Sequence, residues 1–175
     1  AARKQIRTIL DIGCGYGVPA CWCLENYPDA YIHAMDPDPE RVRIAAIALG
    51  DRGIVSRGWA PEMPSLPAGS TDVVLLLDML HYLDDRTAET LVRRCVQKLA
   101  PGAILAARCT ILSGRSPSWL WRLEELRIRT SGYRAHYRSA AETGRLFEEA
   151  GLKVLVNEVT ANPELAWLVG QADQD

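Results

Sequence analysis

The sequence predicts an α/β protein in which helices alternate with the strands of a mostly parallel sheet. Three observations carry this. Short apolar runs alternate with segments whose apolar residues recur every three or four positions, as at Leu91, Val92, Cys95, Val96 and Leu99. The run Val73-Val74-Leu75-Leu76-Leu77 shows no polar alternation, which suits a strand buried on both faces. Near the start, the stretch Thr8-Ile9-Leu10-Asp11-Ile12-Gly13-Cys14-Gly15-Tyr16-Gly17 passes from an apolar run through three alternate glycines into a helix start, the wiring of a nucleotide-binding crossover unit. The 175 residues, 48% hydrophobic and 24% charged, are enough for one domain with a substantial core.

The elements follow in order. Ile9 to Ile12 is the first strand, and Val18 to Tyr27 a short helix with Pro19 in its first turn, where a missing N–H costs nothing. Ala30 to Met35 is a strand ending at Asp36. Asp38 caps the next helix, which runs through Val42 to Leu49 and stops at Gly50. Ile54 to Arg57 is a weaker third strand, followed by the proline-rich connection Gly58 to Pro67. After the fourth strand, Asp84 or Asp85 caps a long helix ended by Pro101-Gly102, and Ala103 to Ala107 is the fifth strand. Ser139-Ala140-Ala141-Glu142 is a capping box opening a helix that reaches Gly151. Leu152 to Val156 and Leu165 to Val169 are two strands joined too closely to be anything but antiparallel.

Composition excludes several classes. A net charge of −2 gives no reason to expect general attraction to nucleic acid or a membrane surface. No apolar run approaches the ~20 residues a membrane span needs, and no signal peptide is visible, so membrane insertion is not expected. Five cysteines in a chain this size read as reduced thiols of a cytoplasmic protein, and Cys21-Trp22-Cys23 has the wrong spacing for a redox or zinc pair. No metal site is expected. The chain does not begin with Met, as a domain cut from a longer protein would not.

In parallel sheets, ligands bind at the carboxyl ends of the strands, near the switch in strand order. Asp11, Asp36 and Asp78 fall at or near those ends of strands one, two and four. With the glycine stretch and Asp36 in place, the chain resembles the Rossmann-like (class I) S-adenosylmethionine-dependent methyltransferases. The resemblance extends through Asp72 to Tyr82, Leu99-Ala100-Pro101-Gly102 and Ala150-Gly151-Leu152, so it covers nearly the whole sequence. It implies a seven-stranded three-layer sandwich of order 3-2-1-4-5-7-6 with the last strand antiparallel, and S-adenosylmethionine as cofactor.

Residue by residue, the resemblance implies that Gly13, with Gly15 and Gly17, approaches the methionine moiety and that Asp11 engages its ammonium. Asp36 takes the ribose hydroxyls and Pro37 lies against adenine. Asp78 and Met79 complete the amino-acid side. The family often has an acid after the third strand to meet the adenine amino group, but Gly58-Trp59-Ala60 puts Trp59 there. Trp59 could stack on the base instead, and Glu62 could supply the acceptor. Catalytic residues stay open: His81, Tyr82 and His136 are candidates, and His33 is structural.

Residues 108–138 form a basic, aromatic insertion within the single 1–175 domain, at the place where the family builds its substrate lid. It holds seven arginines against two acids, interleaved with Trp119, Trp121, Tyr133 and Tyr137. Such a lid suits a small or carrier-linked acceptor bearing a carboxylate or phosphate, and it is also compatible with an amphipathic helix whose basic face is solvated. Two other functions stay open, a nucleic-acid methyltransferase and a non-catalytic cofactor-binding domain of a larger protein. Only about seven residues precede the first strand, so one sheet face is expected to meet a dimer mate or parent chain. A nicotinamide dehydrogenase shares the glycine turn, but Asp11 in front of it would repel a pyrophosphate.

Overall fold

The computed structural model describes residues 5–111 and 135–174. Its sheet has seven strands: β1 (Thr8–Ile12), β2 (Tyr31–Asp36), β3 (Gly53–Arg57), β4 (Thr71–Leu77), β5 (Leu99–Thr110), β6 (Lys153–Val159) and β7 (Leu165–Gln171). Their order is β3-β2-β1-β4-β5-β7-β6. β1 to β5 pair in parallel, and β7 runs antiparallel to both β5 and β6. This is the seven-stranded Rossmann-like sandwich that the sequence predicts, with the strand order reversing on either side of β1.

Four described helices flank the sheet: α1 (Val18–Asn26), α2 (Pro39–Leu49), α3 (Asp85–Lys98) and α4 (Ala140–Glu149). Adjacent β1 residues point to opposite faces, so Ile9 packs in a core with Ala20 and Leu24 of α1 and Ala45 and Leu49 of α2. Leu10 and Ile12 belong to a larger core on the other side with Leu91, Val92 and Cys95 of α3 and Phe147 of α4. β4 is buried through Val73–Leu76, as its unalternating run requires.

Helix starts follow local hydrogen bonding. Asp38 accepts from the N–H groups of Glu40 and Arg41 at 2.8 and 3.2 Å, with Pro39 at the first turn of α2. Asp84, rather than Asp85, caps α3 by accepting from Thr87 N–H. The Ser139/Glu142 capping box is formed in both directions at α4. β5 is longer than its apolar run suggests. It begins at Leu99 and continues through Arg108–Thr110, because those residues pair with Trp167–Leu165 of β7.

Candidate functional site

The carboxyl ends of β1, β2 and β4 open onto two adjoining cavities of about 490 and 560 Å3. Gly13, Arg41, Asp78 and Tyr82 line both and form their common wall. The first, polar cavity also takes in Asp11, Gly15, His81, Arg108, Thr110 and Tyr137. The second is a cleft lined by Asp36, Pro37, Trp59, Ala60 and Met79, among others.

Backbone geometry makes the turn between them. Gly13 has φ 75° and its amide donates to Met35 O at 2.7 Å, joined by the Cys14 amide at 3.1 Å. A Cβ at Gly13 would sit 3.0 Å from the Cβ of Met79, so only glycine lets β1 pass this close to the end of β4. Gly15 donates to Asp36 Oδ2 at 2.9 Å. Gly17 lines neither cavity; it precedes α1 in the left-handed conformation, and a Cβ there would press on Ala45 of α2 at 3.2 Å.

The acids behave differently from one another. Asp11 is 1% exposed, and its Oδ2 is buried without a hydrogen-bond partner. Burial, reinforced by the nearby Asp36 carboxylate, pushes its pKa up to about 7. A buried, unsatisfied carboxylate oxygen at a cavity wall is costly unless a cationic or hydrogen-bonding group meets it. Asp36, 2% exposed, has both oxygens engaged: Oδ2 with Gly15 N–H and Oδ1 with Asp38 N–H at 3.0 Å. It therefore braces the glycine turn, while the second lone pair of each oxygen can still accept from a ligand.

Asp78 has φ 55° and is the single non-glycine residue with positive φ among the described residues. Its amide donates to Arg108 O at 2.8 Å, and its carboxylate is clasped by the Arg108 guanidinium through Nε, at 2.9 and 3.0 Å, and through Nη2. Arg108 is the β5 partner of both Leu77 in β4 and Trp167 in β7, and its guanidinium carbon lies 5.7 Å from the Trp167 ring centre. Hydrogen bonding to Asp78 raises the Arg108 pKa further, so it stays cationic. The family resemblance places Asp78 on the amino-acid side of the cofactor; in the structure its carboxylate is also paired with Arg108.

At the cleft, Trp59 is 52% exposed, with the Arg57 guanidinium 5.0 Å from its ring centre. Arg57 is anchored by donating to Pro37 O at 3.1 Å. Glu62 is exposed and lines neither cavity.

Of the catalytic candidates, His81 and Tyr82 line the polar cavity with ring centres 4.2 Å apart, and Tyr137 stacks on His81 at 5.9 Å. His136 lines neither cavity; its amide donates to His81 O at 2.7 Å. Arg138, counted among the lid arginines by sequence, donates to Leu80 O, Leu83 O and Asp85 and staples the 80–82 turn. Residues 112–134, including the other lid arginines Arg115, Arg122, Arg127, Arg129 and Arg134, lie outside the described residues. Sequence reasoning missed Arg41, which lines both cavities with its guanidinium carbon 5.7 Å from the Tyr16 ring centre. In the sequence it looks like any helix-surface cation. Among the described residues no cluster of His, Cys, Asp or Glu could hold a metal, and no helix is long and apolar enough to cross a membrane.

The glycine turn, the acids at strand ends and the strand order define a class I methyltransferase fold. The family model for a methyltransferase domain matches residues 10–107, more than half the chain, and the chain belongs to that family of S-adenosylmethionine-dependent methyltransferases. Trans-aconitate 2-methyltransferase of Mycobacterium tuberculosis (strain ATCC 25177 / H37Ra) is 29% identical over 193 aligned positions, covering 97% of this chain and 68% of that protein. The S-adenosylmethionine-dependent methyltransferase from Mesorhizobium loti has the same fold, with a TM-score of 0.74 at 20% identity over 95% of this chain and 90% of that one. A Haloferax volcanii methyltransferase solved with the activator Trm112 superposes with a TM-score of 0.75 at 19% identity, over 98% and 86%.

Proposed function

We propose that the chain catalyses methyl transfer from S-adenosylmethionine to a small acceptor, with the cofactor lying across the wall between the two cavities. The observation that carries this is the partnerless Asp11 oxygen in the polar cavity, with the Asp36, Pro37 and Trp59 cleft beginning on the other side of Gly13. Asp11 is placed to meet the cofactor's ammonium, Asp36 the ribose and Pro37 and Trp59 the adenine, while Gly13, Gly15, Ala60, Asp78 and Met79 shape the path between them.

Bound there, S-adenosylmethionine supplies an electrophilic methyl on a sulfonium whose bond electrons leave with the thioether. The protein's part is to hold an acceptor atom in line at near-attack distance and to exclude water. His81, Tyr82 and Tyr137 form the aromatic wall of the polar cavity against which an acceptor would pack. The relatives named for trans-aconitate support a small-molecule acceptor. An acceptor already ionised at neutral pH needs no general base, which fits a cavity in which His81 is 6% exposed and held between two rings. A Haloferax neighbour works with an activator, and by analogy a partner or parent chain against one sheet face is part of this proposal; light scattering of the purified chain checks for a dimer.

The direct test is calorimetry. S-adenosylhomocysteine should bind at sub-millimolar concentration and NAD should not; reversal of that preference would sink the assignment. Turnover with trans-aconitate or related acids then separates an enzyme from a cofactor-binding domain that does no chemistry.

A further inference from the structure

Arg108 enters the polar cavity from β5, across from the glycine turn, and no other described arginine is held so firmly there. Its guanidinium is fixed from two sides. Asp78 takes the Nε–Nη2 edge, and Trp167 lies within cation–π distance at 5.7 Å. The backbone adds a third tie, because Asp78 N–H donates to Arg108 O at 2.8 Å. Asp78 adopts its positive φ of 55° while making this clasp, a conformation that is uncommon in a residue other than glycine and that concentrates at functional sites.

A guanidinium carries five N–H groups arranged along two bidentate edges. Asp78 occupies one of them. The Nη1 hydrogens have no acceptor among the described residues, so the end-on edge formed by Nη1 and Nη2 can take a second carboxylate in the planar fork geometry. Simple ion pairing explains the Asp78 contact but not why the pair lines an open cavity of about 490 Å3 beside Thr110, Tyr137 and Tyr82. A side chain meant only to neutralise Asp78 would do so as well from a closed site.

We propose that Arg108, oriented by Asp78 and Trp167, is the specificity-determining residue of the acceptor side: it binds a carboxylate of the methyl acceptor through its free edge. This rests on the methyltransferase assignment and adds the substrate class, an organic acid. Asp78 is then a positioning residue. It offsets the arginine's charge, so that a cation can sit beside the electropositive methyl donor without repelling it, and it holds the fork in one orientation.

The test uses the chain saturated with S-adenosylhomocysteine and titrated calorimetrically with a series of mono-, di- and tricarboxylates, including trans-aconitate and succinate, and with succinamide as the uncharged match for succinate. At least one acid should bind, and succinamide should not. Arg108→Gln should weaken acid binding by about ten- to a hundred-fold, the loss expected for charge-assisted hydrogen bonds. Arg108→Lys should recover only part of it, because an ammonium lacks the fork. Both variants should keep wild-type affinity for S-adenosylhomocysteine, which also reports that they are folded. Failure of the wild type to bind S-adenosylhomocysteine overturns the methyltransferase assignment. Normal cofactor binding overturns this proposal if no acid binds, if acid and amide bind equally, or if Arg108→Gln leaves acid binding unchanged. If Arg108→Gln loses cofactor affinity while Arg108→Lys keeps it and binds acids as the wild type does, the arginine serves structure alone and the proposal fails.

Discussion

The two cavities are built by different means. The cleft is organised around main-chain turns: the glycine turn, the ends of β1 and β2 and the Gly58–Ala60 connection, with Asp36 bracing them through the amides of Gly15 and Asp38. The acceptor side of the polar cavity is made of side chains converging from the end of β4, from β5, from the 80–82 turn and from Tyr137. A shape fixed by main chain tolerates few changes and serves one ligand; a wall of side chains can be rebuilt residue by residue for another. Damage to the first should therefore abolish cofactor binding, while damage to the second should change acceptor selectivity and spare cofactor affinity.

Asp36→Ala breaks the comparison hardest. It removes the acceptor of the Gly15 amide in the glycine turn and that of the Asp38 amide at the start of α2, and each amide–carboxylate bond contributes about 1.5–3 kcal/mol. S-adenosylhomocysteine affinity should fall at least about a hundred-fold and the melting temperature should drop with it. A variant that melts normally and still binds would show that the turn stands without its brace.

Asp11→Asn should pull stability and binding in opposite directions. An aspartate whose folded pKa is raised from 3.8 to about 7 binds more protons folded than unfolded between those values. It thus removes stability as pH rises from about 4 to about 7, by a few kcal/mol in total. Asparagine carries no such charge, so the unliganded variant should melt higher than the wild type at pH 8 and show less loss of stability across that interval. Cofactor binding needs the ionised carboxylate opposite an ammonium, so wild-type affinity should climb by about tenfold per pH unit below pH 7 and level off above it. The variant should bind weakly, with a flatter profile. Calorimetry at pH 5.5, 6.5 and 8 checks the slope; a wild type whose affinity is flat across that range would remove Asp11 from the ammonium site.

The same division explains what the sequence could show. Asp11 and Gly13 sit in one short stretch and Asp36 at the end of the next strand, which pairs in parallel with the first, while the strand order is legible through the resemblance to a known family. Arg108 and Asp78 are thirty residues apart in the chain, and their meeting depends on the parallel pairing of β4 with β5, which places Leu77 opposite Arg108. Arg41 faces the cavities only because α2 starts where the cleft ends. Arg138 looked like a ligand-binding cation because a sequence displays its charge and hides the carbonyls of Leu80 and Leu83 that consume it. Local motifs are legible when the chemistry is made by neighbours in sequence, and much less so when it is made by neighbours across the sheet.

Arg138→Met tests the acceptor side. It keeps the apolar stem but loses the hydrogen bonds to Leu80 O and Leu83 O and the contacts to Asp85, whose carboxylate is itself exposed and adds little. Leu80 O keeps the Leu83 amide as a donor at 3.2 Å, so the loss falls mainly on Leu83 O and should cost about 1 kcal/mol and let His81 and Tyr82 shift. Acceptor KM should rise while S-adenosylhomocysteine affinity changes less than twofold. Equal losses of both would mean that the turn supports the cofactor as much as the acceptor.

Trp59→Ala should have the smallest effect, and it tests an exposed side chain at the edge of the cleft. Trp59 is half exposed and lies against Arg57, which is itself tethered to Pro37 O, so the ring is already oriented at the cleft edge before any ligand arrives. An aromatic face against adenine is worth about 1 kcal/mol beyond its buried area, so removing the ring should weaken S-adenosylhomocysteine by about five- to tenfold. Trp59→Phe should recover most of that loss, because a smaller ring keeps a stacking face. If Trp59→Glu, which restores the acid the family often carries there, binds more tightly than wild type, then this chain recognises adenine mainly by hydrogen bonding and the tryptophan is packing. If alanine and phenylalanine bind equally, the ring contributes no stacking, and adenine is held by the rest of the cleft.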